Sequence, residues 1–382
     1  MEYSKQSVSK EDIRLVSHAL KKNLITTGSS VPLFEKKISK FVNSKYAVAV
    51  NSGTSALHIA CMALDLKKND YLWTSCNTFV ASANCGIYCG AKVDLIDIDP
   101  DDYNLSINFL KKKLQKAKLE KKLPKIIIPV HFAGYSCEME EIKKLSKFYN
   151  FRIIEDASHA LGGQYKGYKV GSCKYSDISV FSFHPTKIIT TIEGGIACTN
   201  NRKIFLRLIK SREHGIERKK ITYKKKYFLN YQQISIGYNY RMNDIQATLG
   251  ISQLSRIKLF YKKRVEIKNI YLKKLKNKLI TFPIYKKNVI SSYHLFVIRI
   301  KPLKNIRTRD LIYKKLKKLN INVNIHYIPL QFHKFYRKFF TKQKFIESER
   351  YYSEALSLPI YPDLKKKDVQ KVINKIKKIL PS

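Results

Sequence analysis

The sequence has little glycine and little proline, 14 and 11 residues in 382, which excludes a collagen-like or low-complexity chain. Its cysteines supply no metal or disulfide pattern. There are seven, an odd number, and the nearest pair, Cys85 and Cys89, is spaced CxxxC with no CxxC anywhere. A disulfide framework and a structural zinc site are therefore not expected, and a reducing compartment is. No run approaches the roughly 18 apolar residues of a membrane span. The opening MEYSKQSVSKEDIR lacks the basic-then-apolar pattern of an export signal. The expectation is a cytoplasmic protein without a membrane partner.

Acidic residues are also scarce. Lys and Arg number 74 against 29 Asp and Glu, for a formal net charge of +45. The excess is uneven: residues 1–200 hold 28 basic and 19 acidic side chains, and residues 201–382 hold 46 and 10. Such a field suits a polyanion or steers a phosphorylated substrate. Abundant Lys, Ile, Asn and Tyr also fit a chain in which lysine fills solvated positions by default. What is plentiful is apolar: 44% hydrophobic residues beside 27% charged ones make a folded globular protein. At this length one core usually stops growing, so a large domain over residues 1–250 and a smaller one over 251–382 are expected.

Ser9-Lys10-Glu11-Asp12 reads as a capping box opening a helix with Ile13, Leu15, Val16 and Leu20 at helical spacing. A second helix has Pro32 in its first turn and runs to about Asn43. Buried-strand runs follow at Tyr46–Val50, Lys92–Ile98, Lys125–Val130, Phe151–Glu155, Ile178–Phe183 and Gly195–Thr199, with helical patterns between several of them. This is an α/β sheet covered on both faces. Beyond residue 250 come helical spacing from Gln253 to Leu275, a strand at Tyr293–Ile300 and an amphipathic segment from Asp368 to Leu380, the outline of a small α+β domain.

In an open α/β sheet ligands lie outside the carboxyl ends of the strands. One strand runs into Asp156-Ala157-Ser158-His159 and another into His184-Pro185-Thr186-Lys187. An acid and a lysine at such ends are costly unless partnered. Pyridoxal 5′-phosphate would partner both, since lysine forms a Schiff base with its aldehyde and a carboxylate keeps its ring nitrogen protonated. The turn Ser52-Gly53-Thr54-Ser55 opens a helix after the first strand, where free N–H groups and hydroxyls suit a phosphate, and Ser182 completes the cup. Taken singly, a loop lysine, a structural aspartate and a small-residue turn are all commonplace.

The segments NSGTSALHIA (51–60), IIEDASHALGGQYKGYKVGS (153–172), SDISVFSFHPTKIITTIEGGIACTN (176–200), GYNYRMNDIQATLGISQL (237–254) and NVNIHYIPL (322–330) resemble the DegT/DnrJ/EryC1/StrS sugar-nucleotide aminotransferases. The resemblance runs from about Tyr3 to LSLPIYP at 356–362 and is strongest to the branch that makes UDP-4-amino-4,6-dideoxy-N-acetyl-β-L-altrosamine for pseudaminic acid. It implies the fold-type I architecture of pyridoxal 5′-phosphate transferases, with Lys187 as Schiff-base lysine and Asp156 as ring-nitrogen partner. Phe79 would stack on the ring, with His159 beside it. Thr54, Ser55 and Ser182 would hold the phosphate, joined by Asn239 from the second subunit of a homodimer with shared active sites. Tyr3, Thr26, Thr27, His326 and Tyr327 would contact substrate. The implied substrates are L-glutamate and a UDP-linked 4-keto-6-deoxy-N-acetylhexosamine, with no nucleic acid among the partners. One departure is Asp70-Tyr71-Leu72-Trp73, where relatives have a Gly-Asp-Glu-Val-like run. Two alternatives stay open: an aminotransferase for another dTDP- or GDP-linked 3- or 4-keto sugar, and a polyanion-binding or regulatory protein on the same fold. A dehydratase branch carries histidine in place of the lysine, and Lys187 counts against it.

Overall fold

In the computed structural model, which describes residues 1–380 apart from 224–225, 285, 304–307 and 342, the capping box forms as its residues dictate. The Ser9 amide donates to Asp12 Oδ2 at 2.8 Å and the Asp12 amide to Ser9 Oγ at 3.2 Å, opening the helix Lys10–Leu20. The face it buries differs from the one its apolar spacing predicts. Asp12 and Ala19 are buried, while Ile13 and Leu20 are each 59% exposed. The reason is polar anchoring: Gln253 Nε2 and Arg256 Nη1 both donate to Asp12 Oδ2 at 2.8 Å, which turns the acid inward. The second helix, Ser30–Val42, ends at Asn43 in the left-handed conformation.

Seven strands build the main sheet: β1 (Tyr46–Val50), β2 (Tyr71–Ser75), β3 (Lys92–Ile96), β4 (Ile126–Ile128), β5 (Arg152–Asp156), β6 (Ile178–Ser182) and β7 (Gly195–Thr199). Their order is β1-β7-β6-β5-β4-β2-β3. Of the departure at residues 70–73, Tyr71, Leu72 and Trp73 lie on the inner strand β2, with Asp70 just before it. Only β7 runs against the others, pairing antiparallel with both β1 and β6. Two reversals cancel, so β1 and β6 are parallel, and the carboxyl ends of β1, β5 and β6 share one edge of the sheet. Register makes this specific: Val48, Ala197, Val180 and Asp156 lie in one row, and Val50, Gly195 and Ser182 in another.

Alternate residues on β1 enter opposite cores, as the two-residue period of a strand requires. Ala47 and Ala49 pack with Phe34, Ile38 and Phe181, whereas Val48 and Val50 pack with Ala56, Ala60 and Val180. Both faces are therefore dry, which is why these strands read as unbroken apolar runs.

The stretch Gln253 to Leu275, read as one helical pattern, falls on two helices, Asp244–Ser255 and Ile257–Lys274, that meet at Arg256. The expected division at 250/251 lies inside the first of these, whose Ala247 and Leu254 belong to the core around Phe34 and Phe181. A core built from the C-terminal region begins at Ile267 and continues to Leu380. It packs against an antiparallel sheet of Ile280–Thr281, Phe296–Ile300 and Ala355–Leu358. Two further strands, Ile216–Tyr223 and Lys226–Gln233, pair antiparallel outside the runs that read as buried strands. Among the described residues no helix is long and apolar enough to cross a membrane, and no group of His, Cys, Asp and Glu is placed to hold a metal ion.

Glycine is required where β7 passes under the turn after β1. A Cβ at Gly195 would collide with the Ser52 carbonyl and sit 2.6 Å from the Gly53 nitrogen. Gly195→Ala should therefore destabilise the protein by about 1–3 kcal/mol, the usual range for overpacking, read from denaturant unfolding. Wild-type stability in that variant would show that the turn has room to move.

Candidate active site

A cavity of about 300 Å³ opens at the shared strand edge, with Thr54, Phe79, Asp156, His159, Ser182, Lys187 and Tyr327 in its wall. Seven of the residues singled out from sequence thus converge from five segments.

Lys187 reaches the cavity from a short loop after β6. Its amide donates to the His184 carbonyl at 2.9 Å, and the next two residues, Ile188 and Ile189, are buried in the core around Phe34, which pins the loop. Desolvation lowers the Lys187 ammonium from 10.5 to about 8, against the opposing pull of Asp156. Asp156, at the end of β5, accepts from Ser82 Oγ at 2.6 Å and from Ser158 Oγ at 2.6 Å.

The cup forms where β1 feeds the helix Gly53–Ala63. Ser52 caps that helix by accepting from the Ser55 amide at 3.0 Å. The cap leaves the helix start facing Ser182, so close that a Cβ at Gly53 would lie 2.9 Å from the Ser182 Cβ. Ser55 itself turns away from the cavity and donates to Asn51 Oδ1 at 2.6 Å.

His159 is buried, and its Nε2 lies 3.0 Å from the Tyr327 hydroxyl. Burial first, then the charges of Lys187 and His326, push His159 well below the ordinary imidazole range, so the ring is neutral. Burial raises the Tyr327 phenol, so it keeps its proton. Phe79 is 57% exposed at the mouth, an apolar ring left open to the cavity. Behind Tyr327, His326 bonds Ser357 Oγ at 2.8 Å and is lowered to about 3 by burial and then by Lys187. Tyr3 lies against it, ring centroids 5.4 Å apart. The N-terminal segment is held in place by Ser4 Oγ donating to the Thr186 carbonyl at 3.1 Å and the Ile360 amide donating to the Tyr3 carbonyl at 3.1 Å.

Thr26, Thr27 and Asn239 are exposed and outside the cavity wall. The Thr26-Thr27 turn is fixed from below, where Asp244 accepts from the Gly28 and Ser30 amides at 2.8 and 2.7 Å. Two residues without an assigned role in the sequence pattern, Ser82 and Ser158, donate to the Asp156 carboxylate, and a third, Thr78, bonds Ser82 from behind. Ser158 stands between Asp156 and His159 in the sequence, whereas Ser82 is a small hydroxyl in a stretch of small and apolar residues that carries no such signal.

The donor set fits pyridoxal phosphate: a partly neutral amine, a carboxylate held by hydroxyls, a helix start beside a serine, and an open aromatic ring. The chain belongs to the DegT/DnrJ/EryC1/StrS aminotransferase family, whose profile matches residues 6–377, and it is a sugar-nucleotide aminotransferase. It is 38% identical over 384 residues to the UDP-4-amino-4,6-dideoxy-N-acetyl-beta-L-altrosamine transaminase of Campylobacter jejuni, covering 99% of this chain and 97% of that one. Helicobacter pylori PseC, an aminotransferase involved in the biosynthesis of pseudoaminic acid, superposes with a TM-score of 0.89 at 32% identity, over 99% of this chain and 98% of that one. The PLP form of Spr1654 from Streptococcus pneumoniae gives a TM-score of 0.86 at 25% identity over 100% of both chains.

The lowered lysine carries a stability cost. Folded and unfolded states both hold the proton below about pH 8, so the cost is complete there. Between about 8 and 10.5 the unfolded chain binds more protons, and stability rises with pH. Ligand-free Lys187→Met should therefore be more stable than wild type at pH 7, by on the order of 1–3 kcal/mol, with the gap closing toward pH 10.5. Equal unfolding curves at pH 7 would contradict a desolvated amine.

Proposed function

We propose that the chain is a pyridoxal 5′-phosphate enzyme that moves an amino group from L-glutamate to C4 of a UDP-4-keto-6-deoxy-N-acetylhexosamine, in pseudaminic acid biosynthesis in the cytoplasm. The observation that carries the cofactor reading is one sheltered amine and one hydroxyl-held carboxylate in the wall of a single cavity, with a helix amino terminus on a third side. Similarity to the C. jejuni altrosamine transaminase and to H. pylori PseC supports the sugar.

When bound, pyridoxal phosphate supplies an aldehyde open to amines and a ring that draws electrons from the carbon bearing the amino group. Asp156 would hold the ring nitrogen; Ser182, Thr54 and the start of the helix Gly53–Ala63 would hold the phosphate, with Ser55 keeping the turn closed. Phe79 would lie against the ring, with the neutral His159 also in the cavity wall. Lys187 Nζ, on a flexible stem and partly neutral near pH 8, takes and returns a proton during transfer. Tyr327, His326 and Tyr3 form the inner part of the sugar side, and Thr26 and Thr27 its outer part.

The reading includes a homodimer with shared sites. Asn239 is exposed and outside the cavity of its own protomer, so a phosphate contact from it needs a second copy. Ile13, Leu20, Leu24 and Ile25 are 48–59% exposed on the segment leading to Thr26 and Thr27, an apolar surface that a second protomer would cover.

Purified enzyme given L-glutamate should yield 2-oxoglutarate with UDP-4-keto-6-deoxy sugars and far more slowly with dTDP- or GDP-linked ones. A reversed preference overturns the assigned sugar, and no transfer to any of them overturns the reading. Asp156→Asn should keep its fold and lose roughly a hundred-fold or more in turnover, because a neutral amide loses the charge-assisted contact with the ring nitrogen. For the shared site, mixing inactive Lys187→Ala with inactive Asn239→Ala subunits should restore about a quarter of the sites by random pairing. No recovery despite demonstrated subunit exchange would mean that each site is built from one chain.

A further inference from the structure

We propose that Ser82 is a positioning residue for Asp156: driven by Thr78, its hydroxyl fixes the carboxylate so that a single acceptor position, on Oδ2, is left for the ring nitrogen of the cofactor. This rests on the pyridoxal phosphate reading above.

The hydrogen-bond geometry sets the direction of the relay. The Ser158 amide and hydroxyl donate to Asp156 Oδ1 at 3.1 and 2.6 Å, and the Ser82 hydroxyl donates to Oδ2 at 2.6 Å. A carboxylate offers about four acceptor positions. Two on Oδ1 and one on Oδ2 are filled, which leaves one on Oδ2. The Ser82 hydroxyl has a single hydrogen, and an ionised carboxylate can only accept. That hydrogen is therefore committed to Asp156, and the 2.8 Å contact between the Thr78 and Ser82 hydroxyls is made by the Thr78 hydrogen. Thr78 is 1% exposed and Ser82 0%, so water does not compete for either bond.

The local sequence explains the placement. Ser82 stands in the first turn of the helix Ala81–Tyr88, four residues after Thr78. Phe79, which lines the cavity mouth, lies between them. One short segment therefore sets both the ring at the mouth and the acid at the floor, and a shift of that segment would move the two together.

The test compares binding of pyridoxal phosphate with binding of its 1-deaza analogue, in which the ring nitrogen is replaced by CH, to full-length protein resolved of its cofactor. Only the first ligand offers Asp156 a ring nitrogen. Wild type should prefer pyridoxal phosphate. Ser82→Ala, and Ser82→Cys, which keeps the volume with a poor donor, should each cut that preference roughly ten-fold or more, the scale of one hydrogen bond to a charged group, with affinity for the analogue nearly unchanged. Thr78→Val, which acts through Ser82, should give a smaller loss in the same direction. Undiminished preference in both Ser82 variants, or equal weakening of both ligands, would overturn the proposal and leave Ser82 as fold support. Absence of any preference in wild type would remove the assigned role of Asp156 itself, and the proposal with it.

Discussion

Two ionisable groups withdrawn from water at neighbouring strand ends, the Asp156 carboxylate and the Lys187 amine, are the constraint around which the rest of the chain is arranged. Each alone would be an expensive feature. The fold brings them within one cavity because β7 runs backwards between β1 and β6, which returns those two strands to a common direction and gathers three carboxyl ends on one edge. Apolar pinning by Ile188 and Ile189 then holds the lysine loop, and hydroxyls from two segments hold the acid. Stability is given up at the lysine for an amine that releases its proton far more readily than an exposed lysine does.

The sequence was legible where burial on both faces imposes an unbroken apolar run. Tyr46–Val50 and Gly195–Thr199 match β1 and β7 at both ends. It was least legible where polar contacts override pattern. Ile13 and Leu20 sit at helical spacing yet face out, because Gln253 and Arg256, more than two hundred residues away in the chain, draw Asp12 inward. The paired strands Ile216–Tyr223 and Lys226–Gln233 carry too many lysines and polar residues in sequence for a buried-strand pattern.

The same division runs through the site. Lys187 and Asp156 could be read from their places at strand ends, since those places follow from topology. Ser55 and Thr54 are adjacent and chemically alike, and only the helix's rotation and the bond from Ser55 to Asn51 send one hydroxyl inward and leave the other at the cavity. Ser82 was invisible for a related reason: a small hydroxyl in an apolar helix gives no sign of which distant carboxylate it will meet. Tyr3 and His326 become neighbours through bonds linking the N-terminal segment to residues 186 and 360, a closure that no local pattern encodes.

The grip on Asp156 comes from neutral donors, two hydroxyls and an amide, and no cation forms an ion pair with it among the described residues. Exposed pairs elsewhere, such as Arg14 with Glu11 and Lys67 with Asp65, are the kind that dissolved ions loosen. Mobile ions screen charges and leave short buried hydroxyl contacts almost untouched. A chain with a net charge of +45 thus has an electrolyte-sensitive exterior around an acid whose orientation is insulated from ionic strength.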